Sequence, residues 1–322
     1  MNLSILIPTK NRPQFIDYLL QQFTRYDTSI GEITIHVMDA SDNLETFSII
    51  ESINNRIKVN YIKSVSKTLD DDIFFALDKI DDEFVWLLGD DDGIYPYSIN
   101  EVIQQISANK HAAGFTFNYQ AYDKNLDKKF FTHSASAHKY SESFKDTSML
   151  VESCGAHLGF ISCQVINNHQ WRKIKNISDF DKRFINWSVP YLILNILEYG
   201  TGDWVYCNKK IIKYRTGNDS FLKHGLYMRQ KLMFDGFFSL VKRYSTDQSY
   251  ITFKKRYFWS RLIRNVIAIK YKGAHISDQI KILNLYSKRF GFIKPFWFLV
   301  VPIFIFPRFI FKFLVFLSNR KI

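Results

Sequence analysis

Phe84-Val85-Trp86-Leu87-Leu88-Gly89-Asp90-Asp91-Asp92 is a continuous apolar run that ends on a glycine and three successive aspartates. A run of this length bounded by turn residues reads as a buried strand, so the carboxylates lie together at its C-terminal end. Like charges so close raise one another's pKa and cost free energy, whereas a hard divalent cation taking oxygen ligands turns the same cluster into a site. Open α/β sheets also bind nucleotides in the crevice outside the carboxyl ends of their strands. The chemistry this predicts is an Mg2+ or Mn2+ site that holds a diphosphate. A solvated acidic turn is the alternative.

The elements that must position these aspartates are legible in the periodicity. Strand-like runs at Leu3 to Ile7, Ile33 to Met38, Lys58 to Ile62 and Phe84 to Leu88 alternate with helical spacing at Phe15, Leu19 and Phe23, at Ile73, Phe74, Leu77 and Ile80, and at Ile99, Val102, Ile103 and Ile106. Strand then helix, repeated, predicts a parallel sheet with helices on both faces. Further strands are expected at Ala113 to Asn118, Phe160 to Ile166 and Trp204 to Tyr214, with a helix near Pro190 to Tyr199. Residues 120–148 are polar and irregular, which suits a long connection over the sheet.

The chain has 322 residues, 47% of them hydrophobic, enough for one large domain or two. Its net charge of +12 is unevenly placed: residues 251–322 hold 15 Lys and Arg against the single acid Asp278. Cys154, Cys163 and Cys207 show neither CxxC spacing nor an even count, which argues against a zinc cluster and a disulfide framework and for buried thiols in a reducing compartment. Leu3 to Ile7 is too short and too lacking in a basic leader for a signal peptide, so a cytoplasmic location is expected.

The character changes near His224, which divides the chain into residues 1–223 and a basic, aromatic helical region, 224–322. Phe296 to Leu317 carries only Arg308 and Lys312 as charges and could span a bilayer by length, but Pro302, Pro307 and the two cations favour a segment lying in the membrane surface. A helical subdomain that packs its Phe-rich face on itself is the competing reading. Nucleic-acid binding is disfavoured because no recognition motif accompanies the charge.

Several motifs fall in an informative order. Pro8-Thr9-Lys10-Asn11-Arg12 follows the first strand and Asp39-Ala40-Ser41-Asp42 the second. Pro96 comes four residues after Asp92, and Arg215-Thr216-Gly217-Asn218-Asp219-Ser220 follows the last strand. In this order and spacing the chain resembles the family-2 glycosyltransferases of the GT-A fold, most closely O-antigen transferases of the abequosyltransferase type. The resemblance covers roughly residues 1–225. It implies an α/β, Rossmann-like mixed sheet with helices on both faces, joined to the basic membrane-associating region.

It also implies roles residue by residue. Pro8, Thr9 and Asn11 would meet the base and ribose of a nucleotide sugar, Arg12 its phosphates, Asp39 a pyrimidine ring and Asp90 the ribose. Asp91 would be the principal ligand of Mn2+ or Mg2+, with Asp92 and Asp219 as further metal ligands. Asn218 and Ser220 belong to a lid over the donor, and Arg215 would neutralise the leaving group. Asp70 matches an aspartate of similar sequences that reaches the donor, while Asp71 stands where they have Arg. Asp70, Asp71 and Asp72 equally suit the N-terminus of the helix that follows.

The family usually supplies its general base from a Glu-Asp pair before the last strands, but Asn186 to Tyr191 contains no carboxylate. Asp181, then Asp179, are the nearest candidates, with Glu152 and His157 more remote. The expected activity is inverting transfer of a sugar, such as a deoxyhexose, from a CDP-, UDP- or dTDP-linked donor. The expected acceptor is a polyprenyl-diphosphate-linked oligosaccharide at the cytoplasmic face of a bacterial inner membrane. A non-catalytic nucleotide-sugar-binding or scaffold protein is the alternative. A sugar-phosphate nucleotidyltransferase would need a Gly-rich first loop, which Pro8 to Asn11 does not provide.

Overall fold

The computed structural model describes residues 2–26, 31–130, 140–177, 186–218 and 225–317, with side chains to Phe313 in the last stretch. It divides into two compact units, Met1–Asn218 and Asp219–Ile322.

The first unit is built on a mixed sheet. Strands β1 (Asn2–Thr9), β2 (Glu32–Asp39), β3 (Val59–Lys63) and β4 (Phe84–Leu87) run parallel in the order β3-β2-β1-β4. β8 (Gln164–Asn167) then joins antiparallel to both β4 and β6 (Gly114–Tyr122), and β9 (Trp204–Arg215) pairs parallel with β6. Two short strands, β5 (Gly93–Ile94) and β7 (Glu142–Phe144), add antiparallel to β9. The sheet is mixed, as the family resemblance implies, and the parallel arrangement read from the strand–helix periodicity holds for β1 to β4. Strand–helix alternation stops at β4, and β8 reaches its place without a right-handed parallel crossover.

Side-chain alternation sets the two faces. Leu3, Ile5 and Ile7 of β1, with Ile35, Val37, Trp86, Phe115 and Val165, join one core cluster with α1 (Pro13–Phe23), α2 (Glu45–Ile53) and α4 (Ser98–Ala108). Helix α1 contributes Ile16, Leu19, Leu20 and Phe23, and α4 contributes Ile99, Val102, Ile103 and Ile106, each set on one helical face. Pro13 starts α1, where its missing N–H costs nothing. Helices α3 (Leu69–Lys79), α5 (Thr147–Cys154), α6 (Asn168–Ile174) and α7 (Ser188–Tyr199) form another group, in which α7 touches the other three. Gly114 is required by packing, since a Cβ there would lie 2.4 Å from the Trp204 ring and 2.7 Å from the Val165 carbonyl oxygen.

Two expectations change in detail. Ile161–Cys163, expected as strand, forms a short 3₁₀ turn, joined through the extended Phe160 to the one before it, and β8 begins only at Gln164. The stretch 120–148 is not wholly irregular: β6 runs on to Tyr122, Tyr122 bridges Lys129, and β7 precedes α5.

The second unit is helical: α8 (Leu226–Leu232), α9 (Phe238–Arg243), α10 (Asp247–Tyr257), α11 (Ile263–Lys272), α12 (Ile276–Phe290), α13 (Val301–Ile305) and α14 (Arg308–Leu317), with π-helical turns at Met233–Phe237, Phe258–Leu262 and Phe296–Val300. Its core is aromatic. Phe234, Phe238, Tyr257, Tyr286 and Phe290 are buried and meet mostly edge to face, for example Phe234 and Phe238 at 4.7 Å between centroids. Among the described residues no helix is long and apolar enough to cross a membrane.

Candidate active site

Four parallel strands end side by side, and the residues at their ends build the site. Thr9 closes β1 in register with Asp39 of β2, which in turn pairs with Lys63 of β3; Leu6 pairs with Leu87, so Asp90 to Asp92 emerge beside the β1 end. The Thr9 hydroxyl donates to Asp90 Oδ2 at 2.7 Å, and Arg12, at the start of α1, donates to Asp90 Oδ1 at 3.1 Å and to Asp91 Oδ2 at 3.4 Å. Asn218 donates its amide to the same Asp91 oxygen at 2.7 Å. Two motifs that lie far apart in the chain thus converge on the carboxylates of a third.

The first and second loops are stapled together. Asn11 has φ 54°, a left-handed conformation that asparagine tolerates better than most residues. Its main-chain N–H donates to the Ser41 hydroxyl at 2.7 Å, while its side-chain amide both donates to Asp42 Oδ2 and accepts from the Asp42 N–H. Asp39 is fully buried, its Oδ1 accepting from the Ser41 N–H at 2.9 Å and its Oδ2 from the Tyr61 hydroxyl at 3.0 Å. Burial, then the hydrogen bond to Asp39 and the charge of Asp39, pushes the Tyr61 phenol up to about 12, so it stays a donor at neutral pH. The amide of Asn11, expected at the base and ribose, is therefore engaged in holding the loops.

The three aspartates differ in what they can offer. Burial first and the Asp91 charge second push Asp90 up to about 6, against the opposing pull of Arg12 and Thr9. Asp92 is buried more deeply; its Oδ2 accepts from the Ser162 hydroxyl at 2.5 Å and its Oδ1 from the Arg215 main-chain N–H at 2.9 Å. Burial and Asp91 push it up to about 8. Ser162 also accepts from the Gly89 N–H at 3.0 Å, so it locks the glycine and the third aspartate to the start of β8. Asp92, expected as a metal ligand, faces inward, and Asp91 is the carboxylate left at the rim, with its side chain 22% exposed.

No group of three or more His, Cys, Asp or Glu among the described residues could hold a metal by itself. The donor set nonetheless suits a hard cation that arrives with a diphosphate. Such ions use one or two carboxylates plus phosphate oxygens and waters, and Asp91 with Asp90 supplies that number. Asp90 and Asp92 are raised by burial first and by the Asp91 charge second, so Asp91 is the most exposed of the three carboxylates to an incoming cation.

Arg215 occupies a different place from the one expected. Its guanidinium is buried, donates through Nε to the Asp91 carbonyl at 2.6 Å and through Nη1 to the Lys124 carbonyl, and lies over the Phe15 ring at 4.8 Å and the Tyr18 ring at 5.5 Å. It ties the acidic turn to α1 and to the loop after β6. Asp219 and Ser220 lie outside the described residues, as do Asp179 and Asp181, the candidate bases.

Asp70 is also placed differently. Thr68 caps α3, accepting from the Asp71 N–H at 3.1 Å and donating to the Asp71 carboxylate at 2.7 Å, a reciprocal capping pair. Asp72 accepts from Ser64. Asp70 is buried and turns to the start of α7, where it accepts from the Asn186 and Ser188 N–H groups at 2.5 and 3.2 Å. Burial, the largest influence, raises its pKa in spite of these bonds. His157, the remote candidate, is buried with its ring against Tyr119 and Tyr206.

Ser162, Tyr61 and Ser41 were not among the residues that sequence reasoning singled out. Ser41 stood inside a recognised motif, but Ser162 and Tyr61 looked like ordinary strand residues. Only the register across the sheet reveals their partners.

Residues 4–167 match the family described as Glycosyl transferase family 2. Among curated proteins the chain is similar to abequosyltransferase RfbV of Salmonella typhimurium, 22% identical over 254 residues that cover 75% of this chain and 74% of that protein. Among solved structures it is similar to S. aureus TarS 1-349 in complex with UDP, at TM-score 0.61 and 13% identity over 91% of this chain and 81% of that one. A mannosyltransferase from Pyrobaculum calidifontis, in complex with GDP-Man and Mn2+, has TM-score 0.55 and 9% identity over 99% of this chain and 88% of its own. At these identities the structural likenesses bear on the fold.

Proposed function

Because the chain belongs to glycosyl transferase family 2, we propose that it moves a sugar with inversion from a nucleoside-diphosphate donor to a lipid-linked oligosaccharide acceptor. The product class is an O-antigen or similar surface polysaccharide, and the place of work is the cytoplasmic face of the bacterial inner membrane. The observation that carries the reading is the convergence of Thr9, Arg12, Asp90, Asp91 and Asn218 at the carboxyl ends of β1 and β4, beside the buried Asp39.

In this reading Asp39, oriented by Ser41 and Tyr61, accepts a hydrogen bond from the nucleobase, and Arg12 faces the diphosphate. Asp91, with Asp90 behind it, would hold Mg2+ or Mn2+, which when bound supplies Lewis-acid stabilisation of the departing phosphate charge. Asn218 would exchange its bond to Asp91 for one to the donor. Arg215 keeps the acidic turn in position from behind. A carboxylate takes the acceptor hydroxyl's proton, and Asp181, then Asp179, are the candidates. The similarity to an abequosyltransferase favours a deoxyhexose donor, and the nucleotide- and Mn2+-bound neighbours support a nucleotide-sugar and metal chemistry.

The test is Asp91→Ala in a donor hydrolysis and transfer assay with Mn2+ or Mg2+, alongside a thermal-shift panel of CDP, UDP, dTDP and GDP. The expected result is metal-dependent turnover that falls at least about a hundredfold in the variant, the scale of losing one charge-stabilising element. Full activity of the variant with metal chelated refutes the proposal. Donor binding without turnover on any lipid-linked acceptor would favour the non-catalytic alternative, for which the carboxylate-free start of α7 is the sequence support.

A further inference from the structure

The second unit carries an exposed apolar surface of its own. From Phe296 the chain forms a π-helical turn, α13 and α14, and Phe296, Val300, Ile303 and Phe311 turn inward and are buried. Lys270 of α11 donates to the Phe304 carbonyl and Arg308 to the Tyr271 carbonyl, so the segment is fastened to its own unit. Its other side is bare. Phe298 is 78% exposed, Ile305 73%, Phe309 69% and Phe313 59%, with Trp297 and Phe306 beside them about half exposed. Spacing of seven sets Phe298 over Ile305, and spacing of four sets Phe309 over Phe313, so each pair shares a helical face.

Lys294, Arg308 and Lys312 are exposed within the same stretch, and from Gln279 to Ile322 the chain holds eight Lys and Arg and not one Asp or Glu. Aromatic and aliphatic side chains bare to water, interleaved with long cations and without an acid, match the two layers of an anionic bilayer surface: acyl boundary beneath, charged headgroups above. A second copy of this chain would bring the same positive charge to the contact. The segment also breaks at Phe306 and Pro307, and among the described residues neither piece is long enough to cross a bilayer.

We propose that the ridge of Phe298, Ile305, Phe309 and Phe313, with Lys294 and Lys312, is a membrane-docking surface that inserts into one leaflet of an anionic bilayer. It deepens the reading of a membrane-borne acceptor, yet it stands on the second unit's own surface.

The test is co-sedimentation of the full chain with phosphatidylcholine vesicles, with and without phosphatidylglycerol, and quenching of tryptophan fluorescence by acyl chains brominated along their length. The chain should pellet with the anionic vesicles, release as salt rises, and show quenching that disappears in Trp297→Tyr. Phe298→Ser/Phe309→Ser/Phe313→Ser should bind the vesicles about tenfold more weakly. Lys294→Glu/Lys312→Glu should lose the preference for anionic lipid. Both variants alter exposed positions and should keep the wild-type melting temperature and nucleotide-induced shift. The proposal is overturned if the wild type stays in the supernatant with both vesicle types, if the triple serine variant pellets like the wild type, or if the ridge instead mediates self-association that the serines abolish. In each of these cases a retained nucleotide shift leaves the transferase reading standing.

Discussion

Asp70 offers the sharpest test of the structural assignment, because sequence resemblance places it at the donor and the structure turns it toward α7. Both of its oxygens accept main-chain N–H groups, from Asn186 and from Ser188. Asp70→Ala would leave the buried Ser188 N–H without an acceptor, at about 1–3 kcal/mol, and the more exposed Asn186 N–H at about 1 kcal/mol, for a loss of about 2–4 kcal/mol. Asp70→Asn is nearly isosteric but not conservative. An amide presents one acceptor and one donor, so one N–H keeps its partner while the other faces an NH2 group, and the expected cost is about 1–3 kcal/mol. Urea denaturation checks both values through the shift of the midpoint at constant slope, with nucleotide affinity measured on the folded variant in parallel. The expected pattern is a clear midpoint loss, larger for Ala than for Asn, with nucleotide affinity of folded Asp70→Asn changed less than about threefold. A wild-type midpoint for Asp70→Asn together with a tenfold or greater loss of nucleotide binding would refute the reasoning and return Asp70 to the donor site.

Other perturbations have equally definite outcomes. Tyr61→Phe removes the hydroxyl that orients Asp39, and isothermal titration should show pyrimidine nucleoside diphosphate affinity falling about 2- to 10-fold, the worth of one hydrogen bond; unchanged affinity would separate Tyr61 from the base site. His36, buried beside Ser4, has its pKa lowered from 6.5, first by burial. The fold therefore holds it neutral, and its contribution is complete above about pH 6.5 and is lost as pH falls through the window below that value; His36→Gln should flatten the wild-type decline in melting temperature over that range. Gly114→Ala drives a methyl against the Trp204 ring and the Val165 carbonyl, and calorimetry should show it destabilised by about 1–3 kcal/mol.

What could be read in advance was what is local. The strands ending at Thr9, Asp39 and Leu87 were visible because their apolar residues and the turn residues after them lie within ten residues of one another. The helices α1 and α4 were visible because Phe15, Leu19 and Phe23, and Ile99, Val102, Ile103 and Ile106, repeat at the helical period, although in α1 it is Ile16, Leu19, Leu20 and Phe23 that are buried. The 3₁₀ turns at Ile161 to Cys163 were not visible, since Phe160 to Ile166 has the composition of a strand throughout. Register against β4 and β6 alone decides that pairing begins at Gln164.

The same division runs through the site. Residue types and order along the chain sufficed to place carboxylates, a cation and an asparagine loop at strand ends, and to bring out the family likeness. Tertiary structure alone decided which of them are free to act. Asp91 remains at the rim, while Asp92 is taken by Ser162 and the Arg215 N–H, Arg215 by two carbonyls and two rings, and Asp70 by the start of α7. The physical reason is that a buried polar group must find a partner, and its partner can come from a residue 70 to 120 positions away that no local pattern announces.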